Sequence, residues 1–466
     1  MRLPFPLALV LSATLAATAT SADLTAGAAQ VDITPPAGCP MAGYYHARGA
    51  EGTHDPLYAK ALVFEKDGTR AALVGLDLIS TTRETVEEAR KLVEKRTGIP
   101  GKNVMISATH SHTGPVLSTR TSREDAFGGR NQIAREYMTA LPGKIADAVG
   151  KADAARKPAR VSFAEGREDH LAFNRRFHMA DGTVGWNPGK KNPKIIRPTA
   201  TTDPSVPVVY VETADGRPIA TYVNFAMHLD TVGGMYYSAD YPGVLAGALA
   251  AVKGDGMVTL FTAGTCGDIN HLNVDSAAPQ KGHGEAARIG TRLAAEVLRT
   301  FDRLRPAGVG PLRVTAETVE LPLAPVTDAD VAAAKKVVEA VEAGAKPPPA
   351  FLDQVQAFKA VDVANRLGKP LAVEVQVISL GDDLAWVSLP GEIFVDLGLA
   401  IKAGSPFRQT MIAELANGSI GYVPTRRAYA EGNYEVISAR CGIGSGELLV
   451  DSAIKQLRGQ FRKSGR

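Results

Sequence analysis

"NVMISATHSHTGP", residues 103–115, runs from an apolar segment of strand length into two histidines one residue apart, then into a Gly-Pro turn. A short apolar run bounded by turn signals reads as a buried strand. Polar groups at the end of such a strand are how open α/β sheets build sites. The same grammar recurs along the chain. "AALVGLDLIS" (71–80) ends near Asp77, and "PIATYVNFAMHLD" (218–230) ends in His228 and Asp230. "GMVTLFTAGTCGDIN" (256–270) ends in Gly267, Asp268 and Asn270, and "LAWVSLPGEIF" (384–394) ends in Gly391 and Glu392.

Helical stretches separate these runs. "TTRETVEEARKLVEKRTG" (81–98) opens on Thr81 and Thr82 as cap candidates and closes on Gly98, and "GEAARIGTRLAAEVLRTFDRL" (284–304) is a second amphipathic helix. The alternation predicts an α/β fold, a mixed β-sheet core with surrounding helices, in one large domain. Residues 327–368 differ: they are rich in Ala, Lys and Val and are broken at Pro347 to Pro349. They read as a helical excursion from the core beside the substrate entrance. No internal repeat is visible in the sequence.

Composition narrows the function classes. A formal charge of +3 on 466 residues, with no Lys/Arg block, argues against a nucleic-acid partner. Residues 1–22, with Arg2 followed by "FPLALVLSATLAATATSA", have the pattern of a secretory signal peptide and are too short for a stable span. The mature chain is expected over 23–466, in the periplasm or secreted, without a transmembrane span. Three cysteines leave at least one unpaired; a Cys266–Cys441 bridge and a set of buried free thiols are both open.

Nine histidines occur, at 46, 54, 110, 112, 170, 178, 228, 271 and 283. On a strand, residues i and i+2 face the same side, so His110 and His112 can enter one site. They could both be ligands, divide into a ligand and an acid/base neighbour, or be ordinary loop residues. His228 closes another apolar run, and Glu392 could add an oxygen at the start of a helix, a set that zinc accepts. A carboxylate favoured by the helix dipole is the plainer reading of Glu392. There is no G-x-S-x-G elbow, no H-E-x-x-H and no Walker A sequence, and Cys266 has no evident histidine partner.

Beyond spacing, the residues resemble the neutral/alkaline non-lysosomal ceramidases, in their N-terminal catalytic domain. "AGAAQVDITPPAGCPMAGYY" (26–45) looks like the opening strand of that family, and "GTHDPLYAKALVFE" (52–65) like its next segment. "NVMISATHSHTGP" is close to the family's "N-V-x-I-S-x-T-H-T-H-S-G-P". "YVNFAMHLDTV", "AGTCGDIN", "LPGE" and "LANGSIGYVPTRRAYAEGNYE" follow in the family's order.

The resemblance implies one zinc ion held by His110, His228, Glu392 and Tyr434. It makes His112 an acid/base residue, places Arg175 (or its neighbour Arg176) at the developing oxyanion, and leaves Asp268 to hold a loop or a ligand. The implied activity is a zinc-dependent amidohydrolase, in which hydroxide on the zinc attacks the N-acyl amide bond of ceramide or a related N-acylated lipid. Sphingolipid metabolism and transient contact with a membrane surface would follow. Alternatives are a zinc hydrolase of a non-sphingolipid amide or ester, and a non-catalytic binding protein on the same scaffold.

Two departures stand out. The family's C-terminal immunoglobulin-like domain is not expected here. After "NYE" the family reads "G-A-S-T-x-Y/F-G-P", whereas this chain reads "VISARCGIGSGE" (436–447). Asp240 matches an "S-D" aspartate in an otherwise altered stretch, "FAMHLDTVGGMYYSADYPG".

Overall fold

The computed structural model of the chain describes residues 24–117, 121–308 and 310–461. The expected leader at residues 1–22 lies outside them. Apolar runs set the strands and capped amphipathic runs set the helices, in the following order. The first group is β1 (Thr25–Asp32), β2 (Tyr58–Lys66), β3 (Thr69–Leu76), α1 (Arg83–Thr97), β4 (Val104–Ala108) and α2 (Gln132–Ala154). The second is β5 (Lys157–Arg167), β6 (Ser205–Thr213), β7 (Pro218–Phe225), α3 (Tyr241–Lys253), β8 (Val258–Ala263) and α4 (His283–Thr300). In the third, β9 (Leu312–Leu321) precedes two inserted helices, α5 (Asp328–Glu342) and α6 (Phe351–Ala364). It closes with β10 (Leu371–Leu380), β11 (Leu384–Ser388), α7 (Val395–Gly404), β12 (Gln409–Ala413) and α8 (Ser445–Gln460).

One topology therefore occurs three times. In each group the first three strands run antiparallel, a helix crosses over, the fourth strand lies parallel to the third, and a closing helix follows. This corrects the expectation of a chain without repeats. Different residues satisfy each copy's apolar pattern, and insertions of unequal length between first and second strands (33–57, 168–204 and 322–370) break any fixed period.

The first two sheets are joined through β1 and β5, paired at Thr25–Pro158 and Ala26–Lys157, and β9 to β12 form their own sheet. All three sheets turn one face to a shared core, where Phe64, Leu73 and Met105 meet Tyr222 and Leu260 and also Ile378, Trp386 and Met411. Buried side chains of this size contribute about 2–3 kcal/mol each. On its outer face each sheet is covered by its own helices, giving three further cores. The mixed α/β architecture agrees with the sequence reading.

Local signals act as expected. Thr82 caps α1 by accepting from the Thr85 amide, and Gly98 ends it at φ 74°. The excursion at 327–368 is a helical pair, its first helix started by a capping box between Thr327 and Asp330. No helix among the described residues is long and apolar enough to cross a membrane. The three cysteines are buried free thiols, so Cys266 and Cys441 form no bridge.

Candidate metal centre and active site

Strand ends deliver the site. His110 and His112 follow β4, His228 follows β7, and Glu392 follows β11, so each of the three groups contributes. His110 and His112 lie beyond the strand, so its i, i+2 alternation does not place them. The strand stops at Ala108, and His110 adopts a left-handed backbone at φ 79°. That conformation costs a residue carrying a Cβ on the order of 1 kcal/mol and persists only where the surroundings fix it. They do: the amides of His110 and Ser111 donate to Leu78 O, the His112 amide donates to Leu229 O, and the Ser111 and Thr113 hydroxyls donate to Ser238 O. The twist turns the two rings toward each other, with their Nε2 atoms 3.3 Å apart.

His110 Nδ1 donates to Ile79 O at 2.8 Å, and His228 Nδ1 donates to Cys266 O at 2.7 Å. Both Nε2 lone pairs are thereby aimed inward, an arrangement typical of metal-ligating histidines. They meet Glu392 Oε2 at 3.4 and 3.3 Å respectively. His228 Nε2 and Glu392 Oε2 are buried without a hydrogen-bond partner. Orphaned buried acceptors are costly, and a cation among them would relieve that cost. Ligand atoms of His110, His112 and His228 all lie within 4.8 Å of one another. The donor set therefore fits a borderline divalent ion such as zinc.

Charge balance fits as well. Burial opposes ionisation of Glu392, but His110 and His228 beside it hold its carboxyl well below the usual range. Burial, reinforced by Arg175 and His110, lowers His228 to about 4. His112 is lowered to about 3, by burial first and by its imidazole neighbours, against the pull of Asp230. His228 and His112 are accordingly neutral at rest, whereas at His110 burial is outweighed by Glu392 beside it, which raises that imidazole above its ordinary value.

Glu392 is not at a helix start, as the sequence suggested. Glu392–Ile393 is a two-residue strand paired with Tyr422–Val423, and α7 begins only at Val395. The facing histidines, rather than a helix dipole, hold its carboxylate. Gly267 lies directly behind: a Cβ there would stand 2.4 Å from Glu392 O, so only glycine lets the two loops meet. Gly43, at φ 107°, presses in the same way on the His112 ring.

Tyr434 lines the same pocket as His110, His112 and Glu392. Arg175 stands behind this wall, its Cζ 5.4 Å from the Tyr422 ring and 6.0 Å from that of Tyr434. Its Nε donates to Glu435, and its Nη2 donates to Gly267 O and to the Tyr422 hydroxyl. Arg176 is fully buried and is bound by Glu435, Glu431 and Gly432 O, so Arg175 is the arginine nearer the centre. Asp268 accepts from Asn174 and from the Val395 amide; it fixes loops and touches no histidine. Asp240 accepts from the amides of Thr231, Val232 and Tyr241, which pins the loop after His228.

Several residues of the site were not candidates in the sequence, although Tyr44 and Tyr45 close the "AGAAQVDITPPAGCPMAGYY" segment and Asp230 ends an apolar run. Tyr44 donates to Asp230 at 2.6 Å, and Asp230 Oδ1 stands 3.8 Å behind His112 Nδ1. Tyr45, Trp186 and Phe351 arrive from the three insertions and build a ring wall next to Tyr434. The buried Glu414, at the end of β12, accepts from the Cys266 and Ile393 amides and from the Cys266 thiol. Strand-end position was the one available clue to Glu414. Nothing in one sequence predicts which insertion residues meet.

Comparison with known proteins agrees with the motifs. The family model described as neutral/alkaline non-lysosomal ceramidase, N-terminal, matches residues 24–236, the segment that contains "NVMISATHSHTGP" and His228. A crystal structure of neutral ceramidase from Pseudomonas aeruginosa superposes with a TM-score of 0.75 at 22% identity, covering 95% of this chain and 76% of that one. A ceramidase complexed with C2 gives 0.75 at 21% identity with the same coverage. No curated protein sequence matches. The resemblance read from the motifs stands, and the fold is that of the ceramidases.

Proposed function

We propose that this chain, which shares the neutral ceramidase fold and matches that family's model over residues 24–236, is an exported zinc-dependent amidase acting on ceramide or a related N-acylated lipid. One observation carries the metal: two inward-aimed imidazoles and the unpartnered Glu392 Oε2 meet at 3.3–3.4 Å. His110, His228 and Glu392 would hold the ion, with Tyr434 at the pocket side. When bound, zinc supplies Lewis acidity toward the carbonyl and a water of lowered pKa.

The remaining chemistry belongs to this chain's own side chains. His112, neutral at rest, takes a proton from the attacking water and returns it to the leaving nitrogen. Asp230 behind Nδ1 steadies the imidazolium that forms in between. Arg175 binds Glu435, Gly267 O and the Tyr422 hydroxyl through Nε and Nη2 and so shapes the wall around Glu392; its Nη1 lies outside those bonds, and the oxyanion role would fall to that group. The tyrosines, with the ring wall beyond them, keep bulk water from the reacting carbonyl.

The test is metal analysis of the purified chain together with release of sphingosine from a short-chain fluorescent ceramide. Stoichiometric zinc with turnover supports the proposal. Full zinc loading without turnover removes ceramide, and absence of zinc removes the mechanism. His112→Ala is expected to keep its zinc while kcat falls about 10²- to 10⁴-fold. Loss of zinc in that variant would make His112 a ligand. The leader rests on sequence alone, and fractionation of cells expressing the full chain checks it.

A further inference from the structure

The pocket at the metal centre is also lined by Arg123, Glu124, Ser438 and Arg440. Ser438 and Arg440 belong to the 436–447 segment in which the sequence leaves the family pattern. Arg440 binds Asp362 Oδ2 through Nε and Nη2, which leaves Nη1 outside that pair. Nη1 lies against Gly421, where a Cβ would come within 3.1 Å of it. Arg123 is paired with Glu124 through Nη2, and its guanidinium sits 5.4 Å from the centre of the Tyr45 ring. Each guanidinium is thus paired with one carboxylate, Arg440 with Asp362 outside the pocket lining and Arg123 with Glu124 within it, and each has a further edge outside that pair.

Next to them, the ring wall of Tyr45, Trp186, Phe351 and Tyr434 gives an apolar surface. Phe351 and Leu352 at its rim are each 38% exposed. An amphiphile with an acyl chain and an anionic head matches both halves. Guanidinium groups bind carboxylates with charge-assisted, directional hydrogen bonds. A head bearing hydroxyls alone offers them no charge to meet.

We infer that the substrate is an N-acylated amino acid, whose carboxylate is held by Arg440 and Arg123 while its acyl chain lies along the ring wall. This rests on the amidase proposed above and narrows its substrate class. Hydrolysis consumes one water: the C–N bond breaks, hydroxyl goes to the acyl carbon and hydrogen to the nitrogen, releasing a fatty acid and a free amino acid.

The experiment compares N-lauroylglycine with N-lauroylethanolamine, which differ only in carboxylate against hydroxymethyl. On the holoenzyme, kcat/KM is expected to be at least about 10-fold higher for the acid. Arg440→Gln should lower it about 10- to 100-fold for the acid, the range of a lost charged hydrogen bond, and by a clearly smaller factor for the ethanolamide, so that the preference for the acid falls. Arg123→Gln, which leaves the Asp362 contact intact, is the second variant and should act in the same direction. Equal turnover of the two amides, or equal losses in the variants, overturns the inference. Affinity separates this from the amidase proposal. In zinc-loaded His112→Ala, calorimetry should show the acid bound at least about 10-fold more tightly. Equal affinities overturn the inference. Tight, selective binding of the acid with no turnover by the wild type sustains the head-group inference and removes the amidase.

Discussion

His228→Ala is expected to lose its metal and to lower turnover by at least about 10³-fold, roughly 4 kcal/mol of transition-state stabilisation. His228 is 1% exposed, its ring is fixed through Cys266 O, and its Nε2 has no partner other than the space facing Glu392. Alanine there leaves Glu392 with one histidine fewer and nothing to replace the lost nitrogen. Metal content by plasma mass spectrometry and turnover are measured together. Retention of stoichiometric metal with more than a tenth of wild-type activity would show that the ligand set is wrong. Thermal melts give an independent reading. A ligand that binds only the folded state raises the melting temperature, so chelation should destabilise the wild type and leave His228→Ala nearly unmoved.

The second large effect is expected at Glu414. Its Oε2 accepts from the Cys266 amide at 3.0 Å and from the Ile393 amide at 2.9 Å, and its Oε1 faces the Cys266 thiol. One carboxyl therefore joins the loop whose carbonyl orients His228 to the loop that carries Glu392. Glu414→Ala leaves two amides without acceptors, at about 1–3 kcal/mol each, and opens a cavity. A loss of about 3–5 kcal/mol in stability and of 10- to 100-fold in metal affinity is expected. Glu414→Gln keeps an oxygen for both amides and should retain most of both. Chemical denaturation and chelator competition check this; an alanine variant with unchanged metal affinity would reduce Glu414 to a packing residue.

Burial pushes Glu414 up to about 8, against the hydrogen bonds from Cys266 and Ile393. The folded chain then holds a proton that an unfolded carboxyl, near 4.5, releases. The sign follows from linkage. This group's contribution is complete below about pH 4.5 and declines as pH rises to about 8. Metal-free wild type should lose stability over that window relative to Glu414→Gln, and parallel pH profiles would contradict it.

The strands were legible because buried runs such as "VMISA" and "LAWVS" are short, apolar and bounded by turns. The α1 caps were legible because Thr82 and Gly98 act through local chemistry. His110, His228 and Glu392 could be placed at strand ends, but their convergence depends on three sheets sharing a core, which no local pattern encodes. The left-handed turn at His110 was hidden because histidine carries no marker for a positive φ. Arg175 was found through resemblance, whereas its commitment to Glu435 and Tyr422 depends on contacts some 250 residues away along the chain. Tyr45, Trp186 and Phe351 lay in insertions whose composition says nothing of their meeting point.

The threefold repeat divides the candidate ligands among separate parts of the chain. The first unit brings His110 and His112, the second His228, and the third Glu392 and Tyr434. No fragment made of one or two units holds the whole set. On the proposed ligand set, metal uptake would act as a checkpoint on assembly: a chain whose last unit has failed to dock would stay unloaded.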